Sequence, residues 1–148
     1  MGIGATMGKP GRLFLPVLLL VGCAGPTIVQ GDGGGTEGRV TGTVGYLQRI
    51  ALPPGALITV KLVDVSRADA AAIVLGEQQI RADGKQVPFA FSIPYDPGRI
   101  DPRMSYAVQA RIEDSGKLLF ISDRHYPVLT RGAPDSVDLV LQAVGKGR

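Results

Sequence analysis

The sequence has one cysteine, one histidine, no tryptophan and no asparagine. A single cysteine excludes an intramolecular disulfide, and a chain without asparagine has no N-glycosylation site. A zinc site on the lone histidine, His125, would need three carboxylates as its other ligands, and zinc sites are rarely built that way. No Gly-x-Ser-x-Gly motif marks a serine nucleophile. We therefore predict a protein that is not an enzyme and that has no catalytic residue, metal site or cofactor.

Long apolar runs are also missing. The longest, Leu13–Val21, has about nine residues, whereas a helix that crosses a bilayer needs about 20. Lys9 and Arg12 stand just before this run, and a short apolar run after positive charge is typical of a secretory signal peptide. We predict that residues 1–22 are such a signal, whether the chain starts at its first residue or at Met7.

The end of this segment, Leu20-Val21-Gly22-Cys23, resembles the lipobox of bacterial lipoproteins. The resemblance implies that the Cys23 thiol is joined to diacylglycerol and that cleavage before it frees an amine for a further acyl chain. Two or more chains give stable anchoring. Because Ala24 is not aspartate, the sorting rule of these lipoproteins implies the periplasmic face of the outer membrane. The alternative is a soluble secreted protein with a cysteine at this place by chance.

Charge gives no indication of a nucleic-acid partner. The signal peptide contains two of the 16 lysines and arginines and none of the 13 acidic residues, so the mature chain has 14 against 13. Nucleic-acid binding needs a basic patch, and the basic residues of the mature chain are scattered singly between acids. We predict no nucleic-acid partner.

A glycine-rich stretch separates Cys23 from the rest of the chain. We interpret residues 23–38 as the lipidated N-terminus and a flexible tether, with a reach of about 20 Å. Phosphate-binding loops are also rich in glycine, but a P-loop continues with Gly-Lys-Ser/Thr, which is absent here. The folded domain is predicted at residues 39–143, followed by a disordered tail at 144–148.

Apolar and polar residues alternate through this domain, which is typical of half-buried strands. Turn signals separate the runs; Asp83-Gly84 and Ser115-Gly116 suit hairpins, and Ser66–Ala72 suits one or two helical turns. About seven short strands predict an all-β fold, a single antiparallel β-sandwich, with a small closed barrel as the alternative. The runs lie at 40–46, 58–62, 87–93, 106–112, 118–120 and 137–141, with a less certain one at 73–81.

Two groups of carboxylates suggest chemistry at first sight. Asp96 and Asp101 flank a Pro-Gly loop, where local hydrogen bonds to the backbone explain them without a calcium ion. Glu113 and Asp114 are neighbours in a strand, so their side chains point to opposite faces. Neither group predicts a site.

Several longer segments resemble the YbaY family of small lipoproteins, which is grouped with the YscW-type pilotins of type III secretion. The resemblance covers about residues 40–141 and implies a β-sandwich, an outer-membrane lipid anchor and no catalytic residues. A pilotin binds the secretin subunit and guides it to the outer membrane. The segments that carry the resemblance are Gln48–Ala56, Asp64–Ala70, Val87–Pro97, Tyr106–Ala107, Ala110–Ile112 and Tyr126–Thr130.

Three functional hypotheses follow for this membrane-anchored protein. The first is a non-catalytic envelope module that binds or assembles a protein partner, whose identity the sequence does not give. The second, narrower hypothesis is pilotin-like delivery of a secretin. The third is association with an envelope glycoprotein or polysaccharide, for which only Tyr95 and Tyr126 look free to stack on a sugar.

Overall fold

The computed structural model describes residues 37–145, so the predictions for residues 1–22 and Cys23 lie outside the described part. Within it the chain forms eight strands and one 3-10 helix, Pro97–Arg99, which confirms the all-β prediction. No helix between residues 37 and 145 is long and apolar enough to span a membrane. The strands are β1 (Gly38–Tyr46), β2 (Leu57–Asp64), β3 (Ile73–Arg81), β4 (Phe89–Tyr95), β5 (Tyr106–Asp114), β6 (Lys117–Ile121), β7 (Tyr126–Val128) and β8 (Ser136–Ala143).

The antiparallel sandwich predicted from the sequence needs two corrections. The strands follow one continuous order, β3-β2-β5-β6-β8-β1-β4, with β7 paired to β5, so they do not divide clearly into two sheets. The first strand β1 also lies parallel to the last strand β8. The continuous order and the parallel pair have the same cause: the sheet curls on itself and brings the first and last strands of the domain side by side. Alternation within a strand shows which side chains face inward but not which strand is its neighbour.

The curled sheet nearly closes where its two end strands, β3 and β4, meet. An ideal Cβ on Gly76 would lie 2.6 Å from Ile93 Cγ2 and 2.7 Å from the Pro94 carbonyl oxygen, so glycine is needed for this approach. The Gln78 side chain accepts a hydrogen bond from the Ser92 backbone N–H at 2.7 Å. We call this line of contact the seam. The arrangement is therefore barrel-like and closer to the closed-barrel alternative.

In every strand except β3, whose side chains are all exposed or half-buried, one set of side chains fills the interior, as the alternation predicts. Ile58, Val60 and Leu62 of β2 are fully buried, and the less certain strand 73–81 forms as β3. Pro88 stands just before β4, and β4 is an end strand, as expected for a proline that cannot donate to a ladder. The other large core residues include Val40, Val44, Phe89, Phe91, Ile93, Val108, Ile112, Phe120, Leu139 and Leu141.

The predicted turns form, although one does not make a hairpin. Ser115 and Gly116 have positive φ angles and join the paired strands β5 and β6. Asp83 and Gly84 also have positive φ angles, but they lead from β3 to β4, which form no ladder with each other among residues 37–145.

The helical turns predicted at Ser66–Ala72 are wrong: this stretch is a loop. The Ser66 hydroxyl donates to the Asp64 carboxylate and accepts from the Ser105 backbone N–H at 2.8 Å. It therefore ties two loops together and does not cap a helix.

Phe91→Ala is expected to lower the free energy of unfolding by about 3–5 kcal/mol, because the Phe91 ring is 4% exposed and its loss leaves a cavity. Urea denaturation of both proteins, followed by circular dichroism, measures the difference. Ala90→Ser, on the exposed face of the same strand, is the control and should change stability by less than about 0.5 kcal/mol. Equal midpoints for Phe91→Ala and the wild type would contradict the core assignment.

Candidate functional site

The outer face of the sheet contains a shallow cleft of about 350 Å³ where β2, β5 and β6 run side by side. It is formed by the side chains that alternate away from the core on β2 and β5. In the ladder, Thr59 lies opposite Arg111, and Arg111 lies opposite Ile121 of β6. The lining residues are Thr59, Lys61, Gln109, Ala110, Arg111, Ile121 and Ser122.

Thr59 forms the floor of this cleft. It points away from the core, yet only 3% of its surface is exposed, because long side chains on the neighbouring strands stand around it. Its hydroxyl group lies in the lining of the cleft, so a ligand bound there is within reach of it.

Two ion pairs flank the floor. The Lys61 ammonium lies 3.1 Å from a Glu77 carboxylate oxygen, and Arg111 Nε lies 3.6 Å from Glu113. The pKa of Glu77 is below its usual value, first because the Gln79 side-chain amide donates a hydrogen bond to it and next because Lys61 does. The carboxylate is therefore ionised at neutral pH. The two cations keep part of their surface open to the cleft.

The cleft exists because β5 changes neighbours halfway along its length. Its end, 111–114, pairs with β6, whereas its start, 106–108, pairs with β7. Between these ladders Ser122 takes the place of a strand: its hydroxyl accepts from the Ala110 N–H at 3.2 Å, and its own N–H donates to the Ala110 carbonyl. The chain bends away after Ser122, which leaves Ile121 42% exposed at the side of the cleft.

A second feature lies at one end of the sheet, on the loop between β1 and β2. Leu47 is 81% exposed and Ile50 is 59% exposed, the two largest values among the exposed aliphatic side chains of residues 37–145. We call these two side chains the apolar tip. The loop is held firmly: the Tyr46 hydroxyl donates to the Ile50 carbonyl at 2.6 Å, and the Gln86 side-chain amide bonds both N–H and C=O of Leu52.

The residues singled out from the sequence form no site. Cys23 and the lipobox residues Leu20, Val21 and Gly22 lie outside the described residues. His125 is exposed just before β7. No group of three potential metal ligands occurs among residues 37–145.

The two aspartates of the Pro-Gly loop hold the loop itself, as predicted. Asp96 accepts from the Gly98 N–H at 2.8 Å. Asp101 accepts from the backbone and side chain of Arg103, whose hydrogen bonds lower the pKa of Asp101 to about 2.

The two tyrosines expected to be free are both engaged. The Tyr126 hydroxyl bonds the N–H and the C=O of Val140, each at 2.9 Å, and fills a gap beside β8. The Tyr95 ring covers Gly38, where an ideal Cβ would lie 2.3 Å from a ring carbon. Both tyrosines therefore contribute to the packing and hydrogen bonding of the fold itself.

Three comparisons with known proteins agree with each other. Residues 36–141 match the family described as type III secretion system lipoprotein chaperone (YscW). The uncharacterized lipoprotein YbaY of Escherichia coli strain K12 is 41% identical over 106 residues, which are 72% of this chain and 55% of that lipoprotein's length. The structure of an alternative pilotin from the type II secretion system of Vibrio cholerae has a TM-score of 0.72 and 45% identity, covering 74% of this chain and 98% of that one.

Proposed function

This chain belongs to the YscW family of type III secretion system lipoprotein chaperones, and we propose that it acts as a pilotin that delivers a secretin subunit to the outer membrane. In this proposal Cys23 bears the acyl chains that anchor the protein to the periplasmic face of that membrane. The observation that carries the proposal is the 45% identity to a pilotin over 98% of that pilotin's chain. The activity needs a binding surface and an anchor, and no catalytic group.

We propose the cleft as the surface that binds the secretin. It combines an exposed aliphatic side chain, Ile121, with the cations of Lys61 and Arg111 and the hydroxyl of Thr59. A polypeptide segment with an apolar residue next to a carboxylate or a backbone carbonyl fits this set. Central residues of an interface that lose their water on binding contribute most of the affinity.

The proposal predicts that Ile121→Arg abolishes secretin binding while Ile73→Arg does not. Both side chains are exposed aliphatic groups on strands, 42% and 53% exposed, but Ile73 lies on β3, away from the cleft. Each change should alter the free energy of unfolding by less than about 0.5 kcal/mol, so a difference in binding is not a difference in folding. Crosslinking in living cells, with the lipidated protein as bait and mass spectrometry of the captured proteins, measures binding directly.

Delivery is tested in cells that lack the protein. We expect secretin multimers to be lost from the outer-membrane fraction and restored by the wild type and by Ile73→Arg, but not by Ile121→Arg. Normal secretin multimers without the protein would contradict the pilotin function. Loss of binding in both arginine variants would contradict the cleft and leave the delivery function standing.

A further inference from the structure

We propose that the apolar tip inserts into the headgroup region of an anionic phospholipid bilayer. The proposal rests on the lipid anchor of the proposed function, and it adds a second contact that orients the domain. Leu47 and Ile50 are the most exposed aliphatic side chains of residues 37–145. An interface between headgroups and acyl chains accepts such side chains without a preformed pocket.

The loop is built to hold these side chains out of the core. The Ile50 N–H donates to the Gln48 carbonyl at 2.9 Å, the Tyr46 hydroxyl holds the Ile50 carbonyl, and the Tyr46 ring stacks on Phe120 with centroids 4.1 Å apart. Leu52, two residues further on, is buried at 4% exposure. The loop therefore buries one aliphatic residue, exposes two, and loses little conformational freedom when the exposed pair binds.

The charges at this end of the sheet fit an anionic surface. Three loops meet here: β1–β2, β3–β4, which Gln86 ties to Leu52, and the β5–β6 hairpin, whose Asp114 carboxylate lies beside Gly55. The loops present the exposed cations Arg49, Lys85 and Lys117, against the carboxylates of Asp83 and Asp114. Among residues 37–145 none of the three cations forms an ion pair. Cations near an anionic membrane surface are attracted to it.

The length of the chain before β1 allows this contact. Fourteen residues separate Cys23 from Gly38. As a flexible chain this segment spans about 20 Å on average, and fully extended it reaches about 50 Å. The nine residues of β1 carry the chain about 30 Å from Gly38 to the tip end. A domain whose anchor and tip both touch the bilayer is therefore compatible with the chain length. Because the anchor already holds the domain at the membrane, even a weak contact by the tip is occupied.

Quenching by lipid-borne nitroxides tests the proposal on the full, processed lipoprotein. The thiol of Cys23 is acylated, so Ile50→Cys introduces a single free thiol for an environment-sensitive fluorophore. Ala72→Cys, exposed at the opposite end of the sheet, is the matched control. In vesicles of phosphatidylglycerol and phosphatidylcholine we expect at least about twofold stronger quenching at position 50 than at position 72. Adding Leu47→Asp should remove that difference.

The outcomes separate the tip from the anchor. Protein that floats with the vesicles but is quenched equally at both positions would overturn the tip contact and leave the anchor. Protein that does not float would overturn the anchor and the tip contact together. Quenching at position 50 that is as strong in vesicles of pure phosphatidylcholine as in vesicles with phosphatidylglycerol would contradict the contribution of the three cations. A fluorophore at position 50 that reports an apolar environment only after the secretin is added would show a contact with protein and would overturn the membrane contact.

Discussion

Gly42→Ala is expected to lower the free energy of unfolding by about 4 kcal/mol or more, an effect at the upper end of single substitutions. Gly42 lies in the middle of β1, between Phe91 of β4 and Val137 of β8. An ideal Cβ at this position would lie 1.7 Å from the Val137 carbonyl oxygen and 3.0 Å from the Phe91 ring. Its φ of +156° is also one that residues with side chains rarely adopt. Accepting alanine would require β1 to move away from β8.

Gly45 supplies a matched control in the same strand. It lies three residues further along β1, and an ideal Cβ there would meet no atom within 4 Å. Gly45→Ala should leave stability unchanged or raise it by about 0.5–1 kcal/mol, because it reduces the freedom of the unfolded chain. Urea denaturation of the two variants measures the difference. Similar midpoints for Gly42→Ala and Gly45→Ala would show that β1 and β8 do not pack as the parallel pair described.

Cys23→Ser is expected to abolish lipidation and, with it, anchoring of the protein by acyl chains. Serine has no thiol to accept diacylglycerol, so the signal peptide stays uncleaved or the protein is released without acyl chains. Each buried CH₂ of an acyl chain contributes about 0.8 kcal/mol, so the loss of two or three chains removes far more binding energy than the tip could supply. Phase separation in a detergent and flotation of membranes on a density gradient measure the change.

Ala24→Ser is the control for Cys23→Ser, because it changes the next residue by a similar amount and keeps the thiol. We expect it to remain in the detergent phase and in the membrane fraction. Unchanged partitioning of Cys23→Ser would contradict the lipobox prediction.

The alternation of side chains predicted the strands that have one buried face, whereas β3, whose side chains are all exposed or half-buried, was the less certain prediction. Val40, Val44 and Tyr46 turn inward on β1, and Thr41 and Thr43 turn outward, as the sequence indicates. β7 was not predicted, since Tyr126–Val128 has only three residues and includes a proline. It forms because Val128 is fully buried and because β5 offers unpaired backbone groups at 106–108.

The contacts between distant parts of the chain could not be read in the same way. The parallel pairing of β1 with β8 depends on how far the whole sheet curls, which no local pattern records. The cleft depends on the same curvature: Thr59, Arg111 and Ile121 come from three strands and are neighbours only through the ladder register. The one signal available was the polar outer face of β2 and β5, visible as Thr59 and Lys61, and Gln109 and Arg111.

The seam between β3 and β4 also determines how this fold moves. Every other pair of adjacent strands in the main order is joined by a ladder. Across the seam, the one hydrogen bond within residues 37–145 runs from the Ser92 N–H to the Gln78 side chain. Separating β3 from β4 therefore breaks one side-chain hydrogen bond and the packing of Gly76 against Ile93, and it leaves every ladder intact. Local openings of a protein follow the path that breaks the fewest interactions. Amide protons of β3 and β4 at the seam should therefore exchange with solvent well before those of β2 and β5. The barrel-like sheet then opens by uncurling from the seam.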